Sequence, residues 1–222
     1  MAKKESTFLN MTLTLFVITA LAGAALSFVY TLTKEPIDQA KAAKLKNAIN
    51  VVVPGADKGE IEENSVAAVD GAGELTFYNV KVNGETLGTA VKTFSNNGFS
   101  GLIVVMVGFD SNGNIIDSNM LEHKETPGLG DKTDKKVSNW NEQFKGKNPS
   151  EFILKVKKDG GSVDAITAAT ITSRAYCDAI QRAYDTFMKN AAGQNTEEVD
   201  TDASDADNTE TNEIVESNQK ED

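Results

Sequence analysis

The apolar and polar positions divide the chain into an anchor, a patterned body and a polar tail. Residues 8–32 carry no charged side chain. As a helix they would extend roughly 37 Å, more than the ~30 Å hydrocarbon core of a bilayer. Ala22-Gly23-Ala24 has the small-residue character of a signal-peptide cleavage site. The apolar run nevertheless continues through Leu26, Phe28, Val29 and Tyr30, which is longer than a signal h-region. The expectation is an uncleaved, single-pass transmembrane anchor. Lys3 and Lys4 in residues 1–7 keep that end in the cytoplasm, against Lys34 on the far side. The rest of the chain then lies on the extracytoplasmic, periplasmic side of the cytoplasmic membrane.

Beyond Pro36, residues 37–53 read as a second helix with Ala40, Leu45, Ala48 and Ile49 as its apolar stripe, stopped by Pro54-Gly55. Residues 74–93 alternate as two strands around Asn83-Gly84, a type I′ hairpin signal. Leu102 to Val107 is an unbroken apolar strand, and Ser111-Asn112-Gly113-Asn114 turns the chain into Ile115 and Ile116. Phe152 to Lys157 alternates as a further strand, closed by Asp159-Gly160-Gly161. From Ser173 to Lys189, Ala175/Tyr176, Ala179/Ile180, Ala183/Tyr184 and Phe187/Met188 recur at helical spacing and mark a buried face. The pattern predicts an α+β domain over residues 33–192, with a mainly antiparallel sheet and flanking helices. Residues 193–222 are too polar to fold alone.

The formal charge of −11 belongs to that tail. Residues 194–222 hold eleven acidic residues against Lys220, a net −10, so the remaining 193 residues carry only −1. A nearly neutral body with no basic patch excludes a nucleic-acid partner. The one cysteine, Cys177, excludes an intrachain disulfide and the thiolate clusters of iron–sulfur, zinc or haem c sites. His123 is the only histidine, so no imidazole-built metal site is expected.

Two stretches carry candidate chemistry. Asp164-Ala165-Ile166-Thr167-Ala168-Ala169-Thr170 is a small-residue segment between a Gly-Gly turn and a helix start. Its alanines let a bulky group approach the backbone, and the free N–H groups of the following helix would favour a phosphate. Read from spacing alone, Thr170, Thr172 and Ser173 serve equally as helix caps. The second stretch, Glu125-Thr126-Pro127-Gly128-Leu129-Gly130, is a tight turn whose backbone can approach a ring system. By itself it is also an ordinary surface turn.

Together and in this order, the two stretches resemble the FMN-binding domain family. That family is shared by the G subunits of ion-translocating Rnf electron-transport complexes and the C subunits of sodium-pumping NADH:quinone oxidoreductases. The resemblance covers the anchor through Lys189. It implies that Thr170 receives FMN through a phosphodiester bond, donated from FAD by a magnesium-dependent flavin transferase. Asp164, Thr167 and Ala169 match the other motif positions, and Glu125, Thr126, Gly128, Leu129 and Gly130 would lie beside the flavin. Ala168 departs from the family, which usually has glycine there; if that glycine serves a positive φ, alanine strains the loop.

The resemblance further implies an electron-relay subunit with no substrate turnover of its own and no catalytic residue. The ion path and the other redox centres would belong to partner subunits in the membrane. The short chain and the His123-Lys124 pair before Glu125 favour the Rnf G branch over the quinone-reductase C subunit. An anchored extracytoplasmic binding module without flavin is the rival from another class, and a hydrolase using His123 is a third. Trp140 is expected in the core, Cys177 packed and inert, His123 at the surface, and Asn96 to Gly101 either beside the flavin or in a plain turn.

Overall fold

A computed structural model describes the backbone of residues 8–197 and the side chains of residues 8–192. Residues 1–7 and 198–222, where the cytoplasmic start and most of the polar tail were expected, lie outside the described residues.

Phe8–Val52 is one α-helix, α1, about 67 Å long at 1.5 Å per residue. The predicted break at Pro36 does not occur. Proline removes a single N–H and crowds only the Leu32 carbonyl. The strong helix formers that follow, from Ala40 to Lys46, carry the helix past it. From Phe8 to Leu32 the large apolar side chains are exposed, and α1 is long and apolar enough to cross a membrane. Packing begins only near the other end, where Ala48, Ile49, Val52 and Val53 are buried, while Ala40, expected in the stripe, is exposed.

Five antiparallel strands follow as a meander: β1 (Glu60–Ala67), β2 (Glu74–Val82), β3 (Glu85–Gly98), β4 (Gly101–Phe109) and β5 (Ile115–Glu122), neighbouring one another in chain order. Asn83 and Gly84 have φ values of 53° and 85°, the two positive angles a type I′ turn needs. β4 is apolar on both faces because it is covered on both. Ile103, Val105, Val107 and Phe109 join the core under the second helix, α2 (Thr170–Glu197), whereas Val104 and Met106 pack against the end of α1. At Gly108 a Cβ would overlap the Val52 carbonyl, so this glycine lets α1 sit on the sheet.

Two sequence expectations change. Phe152 to Lys157 is not a strand: only Val156 makes a bridge, to Val163, and Lys157–Asp159 is a 3₁₀ turn. Its alternation reflects burial of Leu154 and Val156 between exposed Ile153, Lys155 and Lys157, without a sheet partner. The last helix starts at Thr170, not Ser173, and runs to Glu197, a short way into the stretch expected to be unstructured.

The contacts of α1 orient the domain on its anchor. Val52 lies against Gly108, whereas Lys44 donates to the carbonyl of Leu121, a neighbour of Val104 and Val105 in the β4–β5 register. Passing along α1 toward the anchor therefore leads toward the Gly101 end of β4. The β3–β4 hairpin tip lies at that end, and α2 starts there too, because Ser95 near the tip bonds Asp178 while Gly113 at the opposite end faces Tyr184 and Met188.

Candidate functional site

The segment that leads into α2 is fixed at both ends. At its start, the Asp164 N–H donates to Gln143 Oε1 (2.8 Å), and the Asp164 carbonyl accepts from Trp140 Nε1 (2.5 Å) and Gln143 Nε2 (3.3 Å). Gln143 thus meets the backbone of residue 164 as a neighbouring strand would. Trp140 in turn is wedged edge-on against Phe144 and Tyr176, a core anchor as expected. At the far end, the Ala169 N–H returns to the Ile166 carbonyl (3.0 Å) and closes a β-turn with Thr167 and Ala168 in the middle. Ala168 has φ 61°, the left-handed region that favours glycine at the third position of a type II turn. The strain anticipated for alanine at this position is therefore present in the backbone.

Ile166 and Ala169 point into the protein, Thr167 and Ala168 outward, and half-buried Thr170 opens α2. Thr170, Ile171 and Thr172 lack carbonyls one turn earlier within the helix, and no acidic residue stands in that turn. The positive end of the helix dipole therefore favours an anion here, and the Glu125 carboxylate already lies to one side of it, at Thr172.

Glu125 builds the opposite wall. The residue is 6% exposed; Oε1 accepts the Ser100 N–H (3.0 Å) and Oε2 accepts the Thr172 hydroxyl (2.7 Å). One side chain so joins the β3–β4 hairpin tip, its own loop and the first turn of α2. Close packing around it demands glycine: a Cβ on Gly130 would stand 2.6 Å from Glu125 Oε2 and 2.7 Å from Thr172 Oγ1. Gly128 has φ 78°, and a Cβ placed on it would meet no atom within 4 Å, so it serves the turn and borders open space.

These walls enclose a pocket of about 290 Å³ lined by Phe99, Glu125, Thr126, Leu129, Gly130 and residues 168–172. It brings together Thr170, Ala169, Glu125, Thr126, Leu129 and Gly130. Asp164, Thr167 and Gly128 lie off its lining: Asp164 is exposed and paired with Lys157 at 2.7 Å. Phe99 contributes, at 67% exposure, as an apolar edge on the mouth. His123 faces a neighbouring cavity with Lys44, Leu102 and Glu122, and its Nδ1 accepts the Glu125 N–H (3.2 Å). It does not share a pocket with Thr170, which leaves the hydrolase reading without its base.

Thr172 and Ser173 act differently from the caps considered for them. Both are fully buried; Thr172 bonds Glu125, and the Ser173 hydroxyl accepts the Ile166 N–H (3.0 Å) while donating to the Ala169 carbonyl (3.0 Å). A signal for this was present, because both fall on the face of α2 that carries Tyr176, and buried hydroxyls need partners. Behind the site, burial pushes the Cys177 thiol up to about 12 and raises the Tyr176 phenol above its ordinary value. The Arg174 guanidinium holds the exposed Asp159 carboxylate below its usual range.

A pocket walled by alanine and glycine, open at a helix N-terminus and rimmed by apolar side chains, suits a flat phosphorylated cofactor. Residues 98–185 match the family model of the FMN-binding domain, which places this chain among flavoprotein domains. Among its relatives is the G subunit of the ion-translocating oxidoreductase complex of Vibrio atlanticus, 39% identical over 68% of this chain and 77% of the relative. The corresponding protein of Aliivibrio fischeri is 34% identical over 78% and 86%, and that of Yersinia pestis 35% identical over 77% and 86%. The chain belongs to the family of G subunits of ion-translocating oxidoreductase complexes, the Rnf branch of the two that the motifs resemble.

Proposed function

We propose that this protein is the electron-relay subunit of an Rnf-type ion-translocating complex and carries FMN as a phosphodiester on Thr170. The observation that carries this reading is the position of Thr170. It opens α2 where the dipole favours a phosphate, on a pocket walled by both motif stretches. In the attachment step a flavin transferase with magnesium uses FAD. The Thr170 oxygen forms a bond to the flavin-side phosphorus, the pyrophosphate linkage breaks, AMP leaves and the hydroxyl proton is released. FMN supplies the redox chemistry when bound. The chain's residues supply the rest: Glu125 holds the two walls together, Ala168 and Gly130 keep the approach open, and Phe99 and Leu129 shield one edge. At about 290 Å³ the pocket is at the low end for ligand sites of ~300–1,000 Å³, so part of the cofactor would stay available to a neighbour.

In this reading α1 spans the cytoplasmic membrane with the domain on the periplasmic side. The pocket end of the sheet then faces the bilayer, because Lys44 is only about 18 Å along the helix from Leu32. The neighbour is accordingly a membrane subunit of the complex.

The test is mass spectrometry of the tryptic peptide spanning Asp159 to Arg174 from protein made with an active flavin transferase. An FMN phosphoryl unit on Thr170, absent in Thr170→Ala, is expected. Removing this half-buried hydroxyl should change stability by no more than ~0.5 kcal/mol. An unmodified peptide refutes attachment and leaves a flavin-free or loosely binding module. External protease acting on spheroplasts should digest the domain; full protection would contradict the orientation.

A further inference from the structure

The geometry points to Ser173 as a positioning residue for flavin attachment: its hydroxyl holds the turn that presents Thr170 to the transferase. This rests on attachment at Thr170 as proposed above. Ser173 is 0% exposed and lies within the helix, where a serine hydroxyl normally bonds back to the carbonyl four residues earlier and does nothing else. Here it makes that bond, to Ala169, and also accepts the N–H of Ile166 from outside the helix. Ile166 and Ala169 are the two residues that the turn's own hydrogen bond joins. Ser173 therefore staples both ends of the turn to α2.

Such a staple has something to oppose. Ala168 sits at φ 61°, where an L-residue with a Cβ is disfavoured, so the turn tends to open toward ordinary angles. Without the hydroxyl, the amide of buried Ile166 also loses its partner and gains a reason to turn toward water. Opening at Ile166–Ala169 would release the residue just before Thr170 and fray the first turn of α2. The acceptor hydroxyl would then be presented in the right place only part of the time. No direct contact between Ser173 and a flavin is needed; Ser173 does not line the pocket.

The experiment uses the full chain in detergent with its transferase, FAD and magnesium, and follows initial rates of FMN incorporation against acceptor concentration. Four proteins are compared with wild type. Ser173→Ala removes the staple, and Ser173→Cys puts a somewhat larger, weakly bonding thiol in its place, standing in if the alanine variant does not fold. Thr93→Ala deletes a different buried hydroxyl that binds α2, at Ala179, away from the site. Ser173→Ala with Ala168→Gly removes the staple and the strain together. Amide exchange at Ile166 is measured on the unmodified proteins.

The maximal rate of Ser173→Ala is expected to fall on the order of tenfold, the equivalent of one lost and one unsatisfied hydrogen bond, with little change in KM. Ile166 should exchange faster, Thr93→Ala should be modified at the wild-type rate despite comparable destabilisation, and Ala168→Gly should restore most of the loss. Wild-type rates in a folded Ser173→Ala or Ser173→Cys protein, or equal slowing in Thr93→Ala, overturn the positioning role while leaving attachment intact. A wild-type chain that takes up no flavin on Thr170 overturns the attachment reading itself, and this role with it.

Discussion

Replacing Ala168 by glycine should make the protein more stable, a result opposite to that of most alanine-to-glycine changes. Ala168 lies in the left-handed region at φ 61° and is exposed, so its methyl group returns little packing energy. A left-handed conformation costs an L-residue about 1–2 kcal/mol. Glycine relieves that penalty but loses about 0.5–1 kcal/mol through the greater freedom of the unfolded chain. The balance is a gain centred on about 0.75 kcal/mol. For a domain of this size that corresponds to a rise of roughly 1–4 °C in Tm. Trp140 provides the assay, because it is the only tryptophan and its indole N–H holds the Asp164 carbonyl at the start of the same segment. Its fluorescence during thermal melting in detergent reports both the core and the turn. Ala169→Gly is the control: next in sequence, buried and without a positive φ, it should lose about 0.5–1 kcal/mol. Ala168→Val should lose more than either, since β-branched residues are outliers at positive φ. A fall in Tm for Ala168→Gly, or equal effects at positions 168 and 169, would refute the strain.

Three further outcomes are expected. Gly128→Val should still fold and accept FMN, at a strain of roughly 1–3 kcal/mol from its φ of 78°, but with an altered flavin absorbance and slower electron transfer; wild-type spectrum and rate would reduce the loop to a turn. Cys177 is 2% exposed with its thiol pushed up to about 12, so alkylating reagents near neutral pH should react with it only after unfolding, and prompt native labelling would contradict its burial. Asp70 is held below its ordinary 3.8: partial burial acts upward but is outweighed by the Ala72 N–H and by Arg182. A depressed carboxylate stabilises the fold above the unfolded value and loses that contribution as pH falls through the folded one. The stability advantage of wild type over Asp70→Asn should therefore be present at neutral pH and vanish below 3.8.

Where burial and periodicity coincide, the sequence could be read directly. The paired columns of α2, the two-faced run of β4 and the Asn83-Gly84 turn all appear where their patterns place them. β1 did not stand out because it is an edge strand carrying Glu60, Glu62 and Glu63, with a mostly exposed surface and no clean alternation. Residues 152–157 misled in the opposite sense, since alternate side chains can enter a core from an irregular segment. Within the site, the two motif stretches were visible, but their meeting across Glu125 was not. Nothing local links Glu125 to Thr172, and only the fold of the β3–β4 hairpin against α2 makes them neighbours.

The unbroken course of α1 from Phe8 to Val52 has a mechanical consequence. A flexible linker would let the domain search for its partner; a helix fixes its height and its compass bearing at once. Each residue between Lys34 and Lys44 sets about 1.5 Å of elevation and 100° of azimuth. One inserted residue would swing the pocket about 100°, a little more than a quarter-turn, while lifting it by only about 1.5 Å. Seven would raise it about 10 Å and return it to within about 20° of its original direction. In the proposed relay, distance to the electron partner and orientation toward it are thus set separately, in the length and in the phase of one helical segment.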